Sequence, residues 1–148
     1  MNTKRYYICV LLIVALSVFA MAQKSGSING HKWVDLGLPS GTKWATCNIG
    51  ASSPEGPGTH YAWGETKTKK SYTIENNTTF RKKILDISGN AEYDAATTNW
   101  GNSWRTPTKD EIEELIDYCS WNLTTLNGRY GYMISGNNGN SIFLPMNG

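Results

Sequence analysis

The chain opens with a segment that has the three parts of a cleavable export signal, and this segment decides how much sequence is left to fold. Lys4 and Arg5 give a positive start, and residues 6–20 form an apolar or small-residue run. The sequence Ala-Met-Ala at 20–22 then fits the pattern that signal peptidases cleave. Because the run is shorter than the ~20 residues that a membrane-spanning helix needs, we expect a signal peptide over residues 1–22 and not a membrane anchor.

Cleavage would change both the size and the charge of the protein. Removing 22 residues from 148 leaves 126, which suffices for one domain with one core. The precursor has 14 basic and 12 acidic residues, and the loss of Lys4 and Arg5 leaves 12 of each. A neutral domain has no electrostatic reason to bind nucleic acid or an anionic membrane. We expect an extracytoplasmic protein (secreted, periplasmic or at the cell surface) with no nucleic-acid partner and no membrane insertion after cleavage.

The first half of the exported part reads as a lead-in followed by short strands. Residues 23–29 are predicted to be a polar lead-in, and residues 30–148 the domain itself. Strand-like runs at 33–36 and 43–47 flank a connector that contains two glycines and a proline, which favours a turn. Residues 61–63 are interpreted as a short buried strand.

The second half contains a long polar stretch and a predicted hairpin. Residues 67–90 show little periodicity and much charge, which is typical of a surface excursion with weak structure. Strands are predicted at 131–135 and 141–144. The Asn- and Gly-rich residues 137–140 between them tolerate the positive φ that a hairpin turn requires.

The clearest element is a helix over about residues 108–119. Thr108 and Glu111 are spaced as a capping box, in which hydroxyl and carboxylate each accept a free N–H of the first turn. One apolar stripe follows at i, i+3, i+4 and i+7. Its members are Ile112, Leu115, Ile116 and Cys119.

The cysteines and histidines give no metal or cofactor prediction. The spacing of His31 and His60 to Cys47 and Cys119 matches no zinc pattern, so we expect no metal site and no cofactor. Export makes a disulfide between Cys47 and Cys119 chemically allowed, and it would stabilise the fold by roughly 4 kcal/mol. Two buried free thiols that pack as small apolar groups are the alternative. Both readings stay open.

Six tryptophans are the most suggestive side chains. They are Trp33, Trp44, Trp63, Trp100, Trp104 and Trp121. Aromatic faces stack on sugars or fill pockets with peptide side chains, although most of the six are expected in the core and one or two on the surface. The candidate ligand contacts are Trp63, Glu65, Trp100 and Trp104. Arg105 is expected to anchor the structure by pairing with a buried carboxylate.

Several phrases together resemble one family. They are WVDLGLPSGTKWATCNIGA at 33–51, YAWGET at 61–66, YDAAT at 93–97, WRTPT at 104–108 and NSIFLP at 140–145. In this order they resemble the Fibrobacter succinogenes major paralogous domain, which occurs in secreted and surface proteins of Bacteroidetes-type bacteria. The resemblance covers about residues 30–145.

The resemblance implies an α+β, C-type lectin-like domain with short antiparallel strands, one helix and long loops. Its branch of the fold includes formylglycine-generating enzymes and phage receptor-binding proteins. The catalytic cysteine motif of those enzymes and the Glu-Pro-Asn and Trp-Asn-Asp signatures of calcium-dependent lectins have no match here. Because the family's domain continues past the Phe-Leu-Pro phrase, we expect the domain in this chain to be partial.

Taken together, these features predict an exported recognition or adhesion module with no catalytic activity. Its expected partner is a glycan or protein ligand at the cell surface. Two alternatives stay open. One is an enzyme of the formylglycine-generating-like branch, or a hydrolase, that uses Cys47 or Cys119. The other is a structural module of a surface assembly.

Overall fold

The computed structural model describes residues 24–146, and the signal peptide predicted for residues 1–22 lies outside them. Within 24–146 the chain forms six strands and two helices. The strands make two separate three-stranded antiparallel sheets. The architecture is therefore α+β, as the sequence predicted at this level.

The first sheet contains β1 (Ser25–Ile28), β2 (His31–Asp35) and β3 (Lys43–Ala45), in the order β1-β2-β3. Asn29 and Gly30 connect β1 to β2 with φ values of 52° and 81°. This two-residue Asn-Gly turn has the positive φ that matches the twist of a tight hairpin. It places β1 antiparallel to β2 along the whole of β1.

The predictions for the first half are partly confirmed. Strands β2 and β3 overlap the predicted runs 33–36 and 43–47, although β2 begins two residues earlier. The polar lead-in predicted for residues 23–29 is wrong, because β1 pairs with β2 there. The residues of β1 are small and mostly polar, so they lack the alternation of apolar and polar residues that would predict a strand. The strand predicted at 61–63 is also wrong. Residues 46–94 contain no helix or strand, so the predicted irregular excursion is longer than 67–90.

Two helices follow this irregular segment. Helix α1 (Ala95–Trp100) begins at Asp94, whose carboxylate accepts the first-turn N–H groups. Helix α2 (Lys109–Tyr118) begins at Thr108, and both bonds of the predicted capping box with Glu111 are present. The predicted helix is confirmed, while α1 was not predicted.

The second sheet contains β4 (Cys119–Leu126), β5 (Arg129–Gly136) and β6 (Ser141–Pro145), in the order β4-β5-β6. The predicted hairpin of β5 and β6 is confirmed, and Gly139 supplies the positive φ of its turn. Strand β4 was not predicted. Its middle residues are exposed and largely polar, so hydrophobic alternation does not mark it.

One core joins the two sheets and α2. Its buried members are Val34, Leu36, Leu38, Leu115, Ile134 and Ile142. Gly136 of β5 lies so close to the chain after β2 that a Cβ there would be 1.9 Å from the carbonyl oxygen of Leu36. The amides of Asn138 and Asn140 donate to the carbonyl of Asp35 at 2.9 and 2.7 Å. These contacts fix the β5–β6 turn against the end of β2.

The apolar stripe predicted on α2 is only partly buried. Leu115 is 1 % exposed and Cys119 packs against the core. Ile112 and Ile116 are 38 % and 55 % exposed. The stripe therefore anchors the helix through Leu115 and its C-terminal end and leaves the other two isoleucines at the surface.

Candidate ligand-binding cleft

A cleft of about 440 Å³ lies between the first sheet and the segment that joins α1 to α2. One wall contains Trp33 and β3, and the opposite wall contains Trp100 and Trp104. Val34 is 1 % exposed and belongs to the core, so the adjacent Trp33 points to the other face of β2. Part of this cavity, here called the tryptophan cleft, therefore lies on the side of the first sheet that faces away from the core.

The aromatic rings of one wall pack against one another. The His31 and Trp100 rings stack with centroids 4.1 Å apart and planes 17° apart. Trp104 meets Trp100 edge-on, with centroids 5.1 Å apart, and its indole N–H donates to the Ile28 carbonyl at 3.1 Å. Aromatic pairs in such geometries are stabilised beyond their buried area. The aromatic surface of the cleft is therefore formed before any ligand arrives.

An ion pair closes the end of the cleft next to α2. Arg105 donates two parallel hydrogen bonds to Glu111, at 2.6 and 2.5 Å, and the hydroxyl of Thr42 donates to the same carboxylate at 2.7 Å. The hydrogen bonds from Arg105 outweigh desolvation and, with that from Thr108, lower the pKa of Glu111 to about 2. Glu111 is 12 % exposed, so Arg105 does pair with a carboxylate, as predicted, but with one that is partly and not fully buried.

The fully buried carboxylate of Asp94 stabilises one wall of the cleft. Asp94 accepts hydrogen bonds from the N–H groups of Gly89, Ala96 and Thr106 and from the hydroxyls of Thr97 and Thr106. Burial raises the pKa of Asp94, but these hydrogen bonds outweigh it and leave the pKa below its ordinary value. Asp94 therefore binds the start of α1 to the segment that carries the cleft's second wall.

Two polar groups of residues that line the cleft have no polar partner among residues 24–146. The ammonium of Lys43 lies 5.0 Å from the centre of the Trp33 ring and forms no salt bridge with any of residues 24–146. The indole N–H of Trp44 is buried and has no hydrogen-bond partner in the part of the chain that the structure describes. Because the Trp44 ring packs against the core, this N–H lies inside the fold, and Lys43 is the group that faces the cleft with a free charge.

The four predicted ligand contacts lie in two adjoining cavities. Trp100 and Trp104 line the tryptophan cleft. Trp63 and Glu65 line a second cavity of about 400 Å³, here called the Glu65 hollow. The lining residues shared by both cavities include Asn48, Ile49 and Thr106. The structure thus places the predicted residues near one another but does not bring them into a single site.

The carboxylate of Glu65 is used by its own loop. It is 6 % exposed and accepts hydrogen bonds from Lys69 at 2.7 Å and from the N–H of Thr78 at 2.6 Å. Lys69 also donates to the carbonyl of Asn76. The hydrogen bond from Lys69, followed by that from Thr78, lowers the pKa of Glu65. Trp63 beside it is 58 % exposed, the only one of the six tryptophans that lies largely at the surface.

Both cysteines are half-buried free thiols. Of the two alternatives, the structure therefore shows free thiols and not a disulfide. Cys47 lines the cleft, and its thiol lies 3.7 Å from the hydroxyl of Thr46. Burial, and the nearby charge of Glu114, raise the pKa of Cys119. Among residues 24–146 no three His, Cys, Asp or Glu side chains come together as a metal site.

The sequence did not single out Trp33 or Trp44 as site residues. A signal for Trp33 was present in the alternation of residues 33–36. There Val34 and Leu36 are the inward pair, which leaves Trp33 on the outward face. For Trp44 no such signal exists, because its position in the cleft depends on the segment that folds opposite β3.

Comparisons with known proteins give no match: no protein-family model, no curated protein and no solved structure is similar to this chain. A search of residues 24–146 for a helix long and apolar enough to cross a membrane finds none.

Proposed function

We propose that this protein is an exported recognition module that binds its ligand in the tryptophan cleft, outside the cytoplasm. The observation that supports this most is the cleft itself. Four tryptophans line a cavity of about 440 Å³, within the range of about 300–1,000 Å³ that is usual for ligand sites. Rings held rigidly in advance lose little entropy on binding, which is why aromatic side chains dominate recognition sites.

The charges around the cleft favour binding over reaction. Glu111 and Arg105 neutralise each other, and a carboxylate with a pKa of about 2 stays ionised and cannot act as a general acid near neutral pH. Asp94 has no exposed surface and directs its oxygens at backbone and hydroxyl donors. These acids build the site; they do not present protons to a substrate.

The proposal includes a C-type lectin-like fold of the major paralogous domain family. Support comes from where the family-like phrases fall. Residues 33–51 supply β2, β3 and one wall of the cleft, and residues 104–108 supply part of the other wall. The YDAAT phrase contains Asp94, which holds the second wall in place. An experimental structure compared with C-type lectin-like domains tests this part.

Export is supported by the positive start, apolar run and Ala-Met-Ala sequence of residues 1–22. N-terminal sequencing of the protein recovered from cells that express the full chain tests it. We expect the sequence to begin at Gln23. Recovery of the product in the cytoplasm with Met1 attached would contradict export.

Binding is tested with the exported protein on arrays of immobilised oligosaccharides and of short synthetic peptides. We expect a set of binders whose affinity falls by about tenfold or more in Trp33→Ala and Trp100→Ala. Tyr130→Ala is the matched control, because this ring is 67 % exposed on the second sheet, outside the cleft. Equal losses in all three variants, or none in the cleft variants, would reject the cleft as the site.

A further inference from the structure

Strand β3 is an open edge of the first sheet. In the order β1-β2-β3 it pairs with β2 on one side, and none of residues 24–146 pairs with it on the other. An edge strand presents unpaired N–H and C=O groups that can add a further strand. Many proteins protect such edges, so it matters what lies beside this one.

The alternation of hydrogen-bonded and non-hydrogen-bonded pairs between β2 and β3 identifies which backbone groups of β3 face away from β2. The N–H of Thr46 donates to the carbonyl of Lys32, so these residues form a hydrogen-bonded pair. Because such pairs alternate in an antiparallel ladder, Trp44 bonds Val34, two residues earlier. Lys43 and Ala45 must therefore direct their N–H and C=O groups away from β2, where the sheet does not use them.

The tryptophan cleft runs along this unused edge. Its lining includes the consecutive residues 41–45, so every residue of β3 contacts the cavity. Trp44 lies on the face of Val34, and Ala45 lies on the face of Trp33. Contact with consecutive residues places the cavity alongside the strand. The opposite wall, with Trp100 and Trp104, leaves space beside the edge and does not cover it.

The charge in the cleft indicates the side chains that fit. Arg105 and Glu111 cancel, and Lys43 is left as an unpaired cation next to the Trp33 ring. The site therefore carries a net positive charge between aromatic surfaces. An extended chain with an acidic side chain near Lys43 and apolar side chains toward the tryptophans is complementary to it.

We propose that the tryptophan cleft takes an extended peptide, which adds to β3 as a fourth strand of the first sheet. This rests on the proposed function and specifies its ligand. The peptide's backbone bonds the outward groups of Lys43 and Ala45, and its alternate side chains meet the cleft. A glycan cannot continue the ladder of N–H and C=O bonds, so strand addition distinguishes the two ligand classes.

A proline substitution in β3 tests whether the protein's own edge N–H is needed for binding. Ala45→Pro removes the outward N–H but no bond between β2 and β3, and proline is accepted at edge positions whose N–H faces solvent. Ala45→Val is the matched control, since it adds similar volume and keeps the N–H. Circular dichroism and the unfolding midpoint verify that both variants fold.

The probe is an acetylated, amidated peptide of alternating valine and glutamate, with two versions N-methylated on alternate residues in opposite frames. Intrinsic tryptophan fluorescence measures binding. We expect the peptide to bind the wild type and Ala45→Val, and to lose about tenfold in affinity for Ala45→Pro. Only one methylation frame should lose binding, because only alternate peptide N–H groups face β3.

Three other outcomes overturn the proposal in distinguishable ways. Equal binding by Ala45→Pro and Ala45→Val would reject strand addition at β3. Equal binding of both methylated peptides would reject a ladder as the mode of recognition. If the peptides do not bind while oligosaccharides bind and need Trp100, strand addition is wrong and the proposed recognition function stands. Absence of any binder on either array counts against the recognition function itself.

Discussion

The tryptophan cleft and the Glu65 hollow adjoin each other and have similar volumes, about 440 and about 400 Å³. They differ in whether their polar groups already have hydrogen-bond or ion-pair partners. In the hollow, the carboxylate of Glu65 is occupied by Lys69 and Thr78. In the cleft, Lys43 has no ion-pair partner in the described chain, and β3 has an unused edge. Volume therefore does not distinguish the two cavities, whereas the polar groups that remain unpaired do.

The two cavities also differ in how they are supported. The second wall of the cleft is bound to the fully buried Asp94, which accepts a hydrogen bond from the N–H of Thr106. The hollow is lined largely by the irregular segment 57–65, and it shares Thr106, which Asp94 binds, with the cleft. We expect the cleft to lose its shape only when the domain unfolds globally, and the hollow to open by local unfolding.

The largest expected effect comes from removing the support of the cleft. Asp94→Ala leaves the buried N–H of Ala96 and the part-buried N–H groups of Gly89 and Thr106 without this acceptor and removes the N-cap of α1. We expect the free energy of unfolding to fall by about 4 kcal/mol, measured by urea denaturation. Asp94→Asn, which keeps one acceptor oxygen, should lose about half as much. The exposed Asp117→Ala is the control and should change little. A loss below about 1 kcal/mol in Asp94→Ala would contradict this role.

An intermediate effect is expected at the ion pair that closes the cleft. The pKa of Glu111 falls from 4.5 to about 2 on folding, so its stabilisation is complete above about pH 4.5 and is lost as pH falls through about 2. The full shift corresponds to about 3 kcal/mol, and because Arg105 is 41 % exposed we expect about 2 kcal/mol for Glu111→Gln at pH 7.

The pH dependence separates this pair from an ordinary surface pair. The difference in stability between the wild type and Glu111→Gln should narrow between about pH 4.5 and 2. Lys109 and Glu113, on the same helix, are 84 % and 54 % exposed, so Glu113→Gln should cost under about 0.5 kcal/mol. Equal costs for the two variants would show that Glu111 acts as a surface residue.

The smallest effect on global stability is expected in the Glu65 hollow. Glu65→Ala frees Lys69 and Thr78, so the loop from 65 to 79 should open locally and be cut faster by trypsin. Binding at the cleft should not change. A loss of affinity equal to that of Trp100→Ala would show that the hollow belongs to the site and would remove the contrast between the two cavities.

Much of the fold could be predicted where local signals act alone. The capping box of Thr108 and Glu111 and the hairpin of β5 and β6 need only neighbouring residues, and both are present. Strands β1 and β4 escaped prediction because their polar residues form strands only when a partner strand is placed beside them.

The candidate site was predicted less well, for a similar reason. Trp100 and Trp104, which were predicted as ligand contacts, line the cleft, whereas Glu65 was chosen as a carboxylate beside aromatics. Only the folded loop shows that its oxygens bond Lys69 and Thr78. The cleft itself depends on segments about 60 residues apart in sequence, which no local pattern can bring together.

The most direct test of the account is amide hydrogen exchange along β3, measured by NMR in the free protein and with the valine–glutamate peptide. In the free protein the N–H of Trp44 should be protected by its bond to β2, and the N–H of Ala45 should exchange rapidly. With the peptide bound, Ala45 should become protected. An Ala45 N–H that is already protected in the free protein, or that still exchanges rapidly at saturating peptide, would contradict an open edge that receives a strand.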